Sequence, residues 1–241
     1  MSPVFIACLF TFGASFFIPF IARRFCKFFP ADAGTALARL IHIPRFARPK
    51  QDEQRRKQRQ KLWLKLTSAG VFWGCCGTAA LFLIVLSGYS PVYFLLFWAM
   101  ALMACIDEKL RVLPDILTIP LLIIGFYCAV RPLTGTIPPS SSAMGALFGF
   151  VIPTVTAFIM TPFRPRAMGF GDFKLLCAIG AWLGVFGAAA VIFVSTFYFA
   201  AIAIACKRRE GPYGLSLFLA TMTVIALKNI PAVDEFLTSF Y

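Results

Sequence analysis

Thr67–Ile106 reads TSAGVFWGCCGTAALFLIVLSGYSPVYFLLFWAMALMACI, forty consecutive residues without a charge. A helix that crosses a bilayer needs about 20 apolar residues. The stretch therefore holds two spans, parted at Ser87-Gly88-Tyr89-Ser90-Pro91, where glycine and proline punctuate the pattern. Composition agrees over the whole chain. Of its 241 residues 60% are hydrophobic and 14% charged, against about 25% charged in a soluble domain. The sequence is that of an integral membrane protein. Helices are the spanning element it supports, because each segment must satisfy its own backbone groups.

Outward from that stretch, apolar segments place eight spans near 3–22, 69–87, 92–107, 116–131, 144–162, 174–187, 189–206 and 215–232. The expected fold is all-α, a polytopic helix bundle. Gly184 and Gly187 blur the boundary between the sixth and seventh spans. Val4–Ala22 lacks a basic leading region and a small-residue cleavage site, so it reads as a span rather than a signal peptide. Three parts are expected: a first span over 1–22, a basic loop over 23–66, and a membrane-embedded domain over 67–241. Late small residues (Gly180, Ala181, Ala188, Ala189, Ala190) permit close helix contacts.

Thirteen of the 23 Lys and Arg lie between Arg23 and Lys65, directly after the first span. Cytoplasmic loops carry such an excess under the positive-inside rule. With this loop inside, Lys109, Arg111, Arg164, Arg166, Lys174, Lys207, Arg208 and Arg209 also fall inside, and Arg131 and Lys228 remain outside. The net charge of +13 thus belongs to membrane topology and to contact with anionic lipid. Nucleic acid is not an expected partner, since no aromatic stacking residues interleave the basic run at 51–61.

Eight cysteines form no Cys-x-x-Cys pair, and most lie in apolar segments where cysteine behaves as a small hydrophobe. His42 is the single histidine, which excludes a histidine-based triad or a multi-histidine metal site. No metal site is expected. What remains as chemistry is acidic. Of only ten acidic residues, Asp107 closes the third span in Ile-Asp-Glu-Lys-Leu-Arg-Val-Leu-Pro-Asp, and Asp172 opens the sixth in Gly169-Phe170-Gly171-Asp172-Phe173-Lys174. Carboxylates near membrane depth are costly and usually functional. The charge-derived topology brings both to the cytoplasmic side, although neither motif was used to set it.

Each motif also has a plain structural reading. Asp107 can pair with Lys109 or Arg111. Pro114-Asp115 has the look of a helix start, with Asp115 capping orphan amides. Gly169 and Gly171 free the backbone for close approach, Asp172 can serve as an N-cap, and Lys174 can anchor at the interface. Glu108 points away from whatever Asp107 faces, since adjacent helix positions do not share a face.

Asp107–Pro120 resembles the Asp-x-x-x-x-x-x-Pro-Asp-x-Leu-Thr-x-Pro segment of bacterial type IV prepilin peptidases. Met168–Gly184, MGFGDFKLLCAIGAWLG, resembles their Gly-x-Gly-Asp-x-Lys-Leu segment, and Gly211-Pro212-Tyr213-Gly214-Leu215 their Pro-Phe-Gly-Pro element, with Leu215 in place of the last proline. At the front, Ser15, Phe16 and Arg23 match the family's first segment while Ile18 stands where it has Asn. The resemblance implies that Asp107 and Asp172 are the catalytic pair of a membrane aspartic endopeptidase, supported by Gly169, Gly171, Lys174, Asp115 and Pro114. It implies prepilin or pseudopilin substrates, cut at the cytoplasmic face of the bacterial inner membrane. The peptidase step calls for no cofactor. S-adenosylmethionine has no motif of its own here, and the two Cys-x-x-Cys pairs that many members associate with N-methylation are missing. Two other classes stand as alternatives, a proton- or cation-coupled transporter and a catalytically idle pilus-assembly subunit. Nothing in the sequence fixes an oligomeric state.

Overall fold

A computed structural model describes residues 3–28, 53–131, 137–160, 169–207 and 211–227. Most of the basic stretch, with His42, and the residues past 227 lie outside them, as do Arg164, Arg166, Arg208, Arg209 and Lys228. Eight helices form among the described residues: α1 Pro3–Phe16, α2 Ile18–Phe28, α3 Glu53–Leu86, α4 Tyr93–Leu110, α5 Asp115–Val130, α6 Pro139–Met160, α7 Phe170–Ala205 and α8 Gly214–Leu227. Four stretches are long and apolar enough to cross a membrane, Val4–Lys27, Gln60–Leu86, Pro139–Met160 and Phe170–Ala205, and Asp115–Val130 and Gly214–Leu227 are shorter apolar helices. The chain is a multi-pass membrane protein. It divides into two compact units, Met1–Ala79 and Ala80–Tyr241.

In the first unit, α1 meets α3 through a row of glycines. Gly70 faces Phe16, Gly74 faces Phe12, and Gly77 faces Ser15, so the helices run antiparallel. Phe12, Phe16 and Phe20 recur every four residues and stack on one side, and Phe20 continues the row to Trp63 with ring centroids 5.9 Å apart. Such spacing brings side chains onto one helix face. Small residues on one helix and aromatic rings on the other replace the hydrophobic drive that lipid cannot supply. α3 runs unbroken from the basic stretch into its span. Its 34 residues make it about 50 Å long, well beyond a hydrocarbon core of about 30 Å.

In the second unit, α4 is apolar from Tyr93 to Ile106 and mostly buried there, with Glu108 and Lys109 exposed at its end, as expected of a helix largely surrounded by others. α7 explains most of the remaining geometry. It is two helical arms meeting at Gly184, whose φ of 73° and ψ of −174° suit a residue without a side chain. The arms fold back on each other. Ser195 on the second arm hydrogen-bonds Tyr213, and Tyr213 in turn lies within the electrostatic reach of Asp172 on the first arm. A straight helix would hold Asp172 and Ser195 about 35 Å apart. The sixth and seventh expected spans are these two arms, with the break at Gly184 rather than after Gly187.

Ending a helix at Gly184 orphans the last carbonyls of the first arm. Neighbours supply the donors. Ser142 Oγ donates to the Ala181 carbonyl at 2.6 Å and Tyr93 Oη to the Trp182 carbonyl at 2.7 Å. Trp182 Nε1 donates to the Leu121 carbonyl at 2.8 Å. α4, α5 and α6 are thereby pinned to the tip of the hairpin, each bond contributing about 0.5–1.5 kcal/mol net. Lower down, Gly145 and Gly149 of α6 lie against the backbone of Gly180 and Leu176, an approach that only residues without a side chain permit.

Candidate active site

The site forms where four chain segments end together, opposite the hairpin tip. α4 brings Asp107, buried at 5% exposure and one turn before the helix ends at Leu110. Arg111 then takes a left-handed conformation (φ 53°, ψ 37°) and returns its N–H to the Asp107 carbonyl at 2.8 Å. This ties the backbone of Asp107 into the helix end. Pro114 follows in extended conformation, and its carbonyl accepts from Leu117 at 3.0 Å to start α5. α7 begins after Gly169 and carries Asp172 in its first turn.

Both carboxylates are held by backbone amides at helix N-termini. Asp172 Oδ2 accepts from the Gly169 N–H at 3.1 Å, and Asp107 Oδ2 accepts from the Gly214 N–H, the first residue of α8, at 2.8 Å. These amides have no partner inside their own helices and lie at the positive end of the peptide dipoles. The arrangement sets buried negative charge against helix ends, and at Asp107 the charge of Arg111 acts from a longer range without an ion-pair contact. Asp107 and Asp172, 65 residues apart in sequence, are close enough to act on each other electrostatically.

Among the described residues Asp107 forms no ion pair with Lys109 or Arg111; its partner is Gly214, from the far end of the chain. Asp172 sits three positions inside the helix rather than at its cap, and reaches back to Gly169 in the manner of a capping-box acid. Asp115 does not cap α5: the cap position belongs to Pro114, and no side chain bonds the first amides. Its carboxylate instead receives Lys174 Nζ at 2.7 Å, which joins α5 to α7 at the rim of the site. Lys174 also lies 5.5 Å from the centre of the Phe170 ring. Gly171 is needed for contact, since a Cβ there would stand 2.9 Å from that of Leu113.

Three residues in this neighbourhood were not singled out from sequence as site residues. Gly214 binds Asp107. Tyr213, beside it, places its hydroxyl 2.5 Å from that of Ser195 and its ring 5.6 Å from Phe199. Burial pushes the Tyr213 phenol up and the charge of Asp172 adds to the effect, while hydrogen bonds with the Ser195 and Thr196 hydroxyls pull it partly back. The Pro-Tyr-Gly turn was the visible signal for the first two; nothing local marked Ser195. Among the described residues no group of three or more His, Cys, Asp or Glu side chains could hold a metal ion.

Two acid-bearing helix ends, one Gly-x-Gly-Asp and one Asp with Pro-Asp eight residues on, lie within the part of the chain that comparison recognises. Residues 94–204 match the type IV leader peptidase family. Curated relatives carry the name prepilin leader peptidase/N-methyltransferase. The protein of Aeromonas salmonicida is 39% identical over 92 residues, covering 37% of this chain and 31% of the relative. That of Xanthomonas campestris pv. campestris is 33% identical over 143 residues, covering 56% and 49%, and that of Dichelobacter nodosus 32% identical over 152 residues, covering 59% and 52%. The chain thus spans from a third to about half of the length of these relatives. No solved structure matches. Asp107, Asp172 and Ser195 all fall inside the leader peptidase match, whereas Tyr213 and Gly214 lie just beyond its end.

Proposed function

We propose that this chain is a membrane aspartic endopeptidase that removes the leader peptide from prepilins or prepilin-like pseudopilins at the cytoplasmic face of the bacterial inner membrane. The observation that carries the reading is the convergence of Asp107 and Asp172, each fixed through one carboxylate oxygen by a backbone amide. Two carboxyls brought together share a proton, because ionising both sets like charges side by side. The ionised partner takes a proton from water as it attacks the peptide carbonyl. The protonated partner donates to the developing oxyanion. On this reading Gly169 and Gly214 orient the pair, Gly171 lets α7 close against Leu113, and Pro114 with the Asp115–Lys174 pair fixes the α4–α5 turn relative to α7.

Inner-membrane placement is supported by the basic bias of the segments on the acid-bearing side. The peptidase step uses no cofactor in this reading. S-adenosylmethionine and methyl transfer form no part of the proposal.

Cleavage of a purified prepilin by the reconstituted protein tests the proposal. Asp107→Asn and Asp172→Asn are each expected to abolish cleavage while the protein stays folded in the membrane. Near wild-type processing by either variant would remove the pair from the mechanism.

A further inference from the structure

Asp107 receives its amide partner from Gly214, and what fixes Gly214 lies one residue back. The Ser195 hydroxyl, wholly buried, donates to the Ile192 carbonyl at 2.9 Å. At the 2.5 Å contact with Tyr213 either oxygen can be the donor, and in both directions the two hydroxyls and the backbone of α7 form one connected chain. The separation lies at the short end for O–H···O bonds. Phe199, one turn further along the same arm, closes edge-on against the Tyr213 ring at 69°. Tyr213 is thus clamped to the second arm of α7 at its hydroxyl and at its ring.

One peptide bond beyond that clamp, the Gly214 N–H meets Asp107 Oδ2 at 2.8 Å. The first arm of α7 carries Asp172. Ser195 is about as far from Gly184 along the second arm as Asp172 is along the first, so the hairpin brings both to one depth. The geometry points to the Tyr213–Ser195 hydroxyl pair as the positioning device for Asp107: it anchors the start of α8 to the second arm of α7 so that the Gly214 amide is presented to the carboxylate. The hairpin then serves both aspartates, one directly and one through this relay. Tyr213 and Ser195 are positioning residues in this account and touch no reacting atom. Their kinetic consequence rests on the peptidase reading above; the geometry of the relay does not.

The test uses the full chain in lipid, with Tyr213→Phe and Ser195→Ala. Each deletes one hydroxyl and leaves the packing nearly intact. Each is expected to lower kcat for prepilin cleavage about tenfold with KM within twofold, and to displace the pH profile of kcat, since the loosened Gly214 amide alters the charge balance at the pair. The double variant is expected to be no worse than the poorer single, as for two links of one chain. Ser195→Thr, which keeps a hydroxyl, should recover most of the rate. Amide hydrogen exchange at Gly214 provides a readout that needs no cleavage, and is expected to quicken about tenfold in Tyr213→Phe. Wild-type kcat and pH profile in Tyr213→Phe would overturn the relay, as would fully additive losses in the double variant. Should the wild-type protein cleave no prepilin, the peptidase reading fails by itself, and unchanged exchange at Gly214 would still refute the relay.

Discussion

Replacing Gly214 by alanine separates the integrity of the site from that of the fold. The Cβ that alanine carries would stand 2.9 Å from Asp107 Oδ2, 3.2 Å from its Cβ and 3.3 Å from its Cγ. Carbon contacts settle at about 3.5–4.0 Å, so the carboxylate must give by about half an ångström. Asp107 is short and buried, and the displacement acts directly on the 2.8 Å bond to the Gly214 amide. A hydrogen bond to a charged group contributes about 1.5–3 kcal/mol. Losing most of it during turnover corresponds to roughly a tenfold to hundredfold fall in kcat at about 1.4 kcal/mol per decade. Stability should behave differently. Alanine is about 1 kcal/mol better than glycine in a helix interior; at the first residue of α8 the gain is smaller and offsets only part of the crowding. The expected outcome is a melting temperature in detergent close to wild type with cleavage reduced by one to two decades. Cleavage of a fluorogenic prepilin peptide, measured beside thermal unfolding of the same sample, checks both. Wild-type kcat in a folded Gly214→Ala protein would refute the claim that this amide holds Asp107 in its working position.

Gly180→Val is expected to cost about 1–3 kcal/mol by overpacking, because the new side chain meets the backbone of Gly145 and Ala146, which cannot swing aside; unfolding in detergent measures it. Lys174→Ala should lower stability by less than about 1 kcal/mol, since the pair with Asp115 is 33% and 53% exposed, and the deficit should shrink in high salt. The Tyr213 phenol is held above its ordinary value of 10.0 by burial and by Asp172. The native state therefore keeps this proton where the unfolded chain has lost it, so stability is intact below about pH 10 and declines as pH rises through the folded value. Alkaline unfolding followed by the phenolate absorbance should show that decline in the wild type and less of it in Tyr213→Phe.

The helical membrane fold was legible because it depends on composition and run length, which Thr67–Ile106 displays without ambiguity. That both acids fall at helix ends was legible for a similar reason, since Asp107 closes one apolar run and Asp172 opens another. What escaped was local and relational. The break in α7 was visible only as two glycines, Gly184 and Gly187, and sequence cannot say which takes the positive φ. The close approach of α6 was written as Gly145-Ala146-Leu147-Phe148-Gly149, a small-x-x-x-small pattern, yet its partner at Gly180 and Leu176 is set by the turn at Gly184. Asp115 was misread as a cap because a Pro-Asp pair has two possible registers at a helix start. Proline took the cap position, and Lys174, 59 residues away, claimed the carboxylate.

The manner in which the two aspartates are held explains why only part of the site could be read. A buried carboxylate paired with Arg or Lys leaves two charged letters in the sequence. Here the partners are main-chain amides, which every residue except proline carries, so the sequence records them only as glycine. Gly169-Phe170-Gly171-Asp172 is such a record, because acceptor and donor lie three residues apart in one turn. Asp107 and Gly214 are 107 residues apart, and nothing in either segment names the other. Only once α7 is folded at Gly184 does the start of α8 arrive beside Asp107. Helix ends also suit this task. They stabilise negative charge by about 0.3–1 kcal/mol at a surface, and more where partly buried, without adding a flexible cation that would compete for the carboxylate oxygens. Each aspartate so held keeps its second oxygen for chemistry. A lysine in the position of Gly214 would neutralise Asp107; an amide leaves its charge in place, and the proposed mechanism, in which one carboxylate takes a proton while the other gives one, requires that charge.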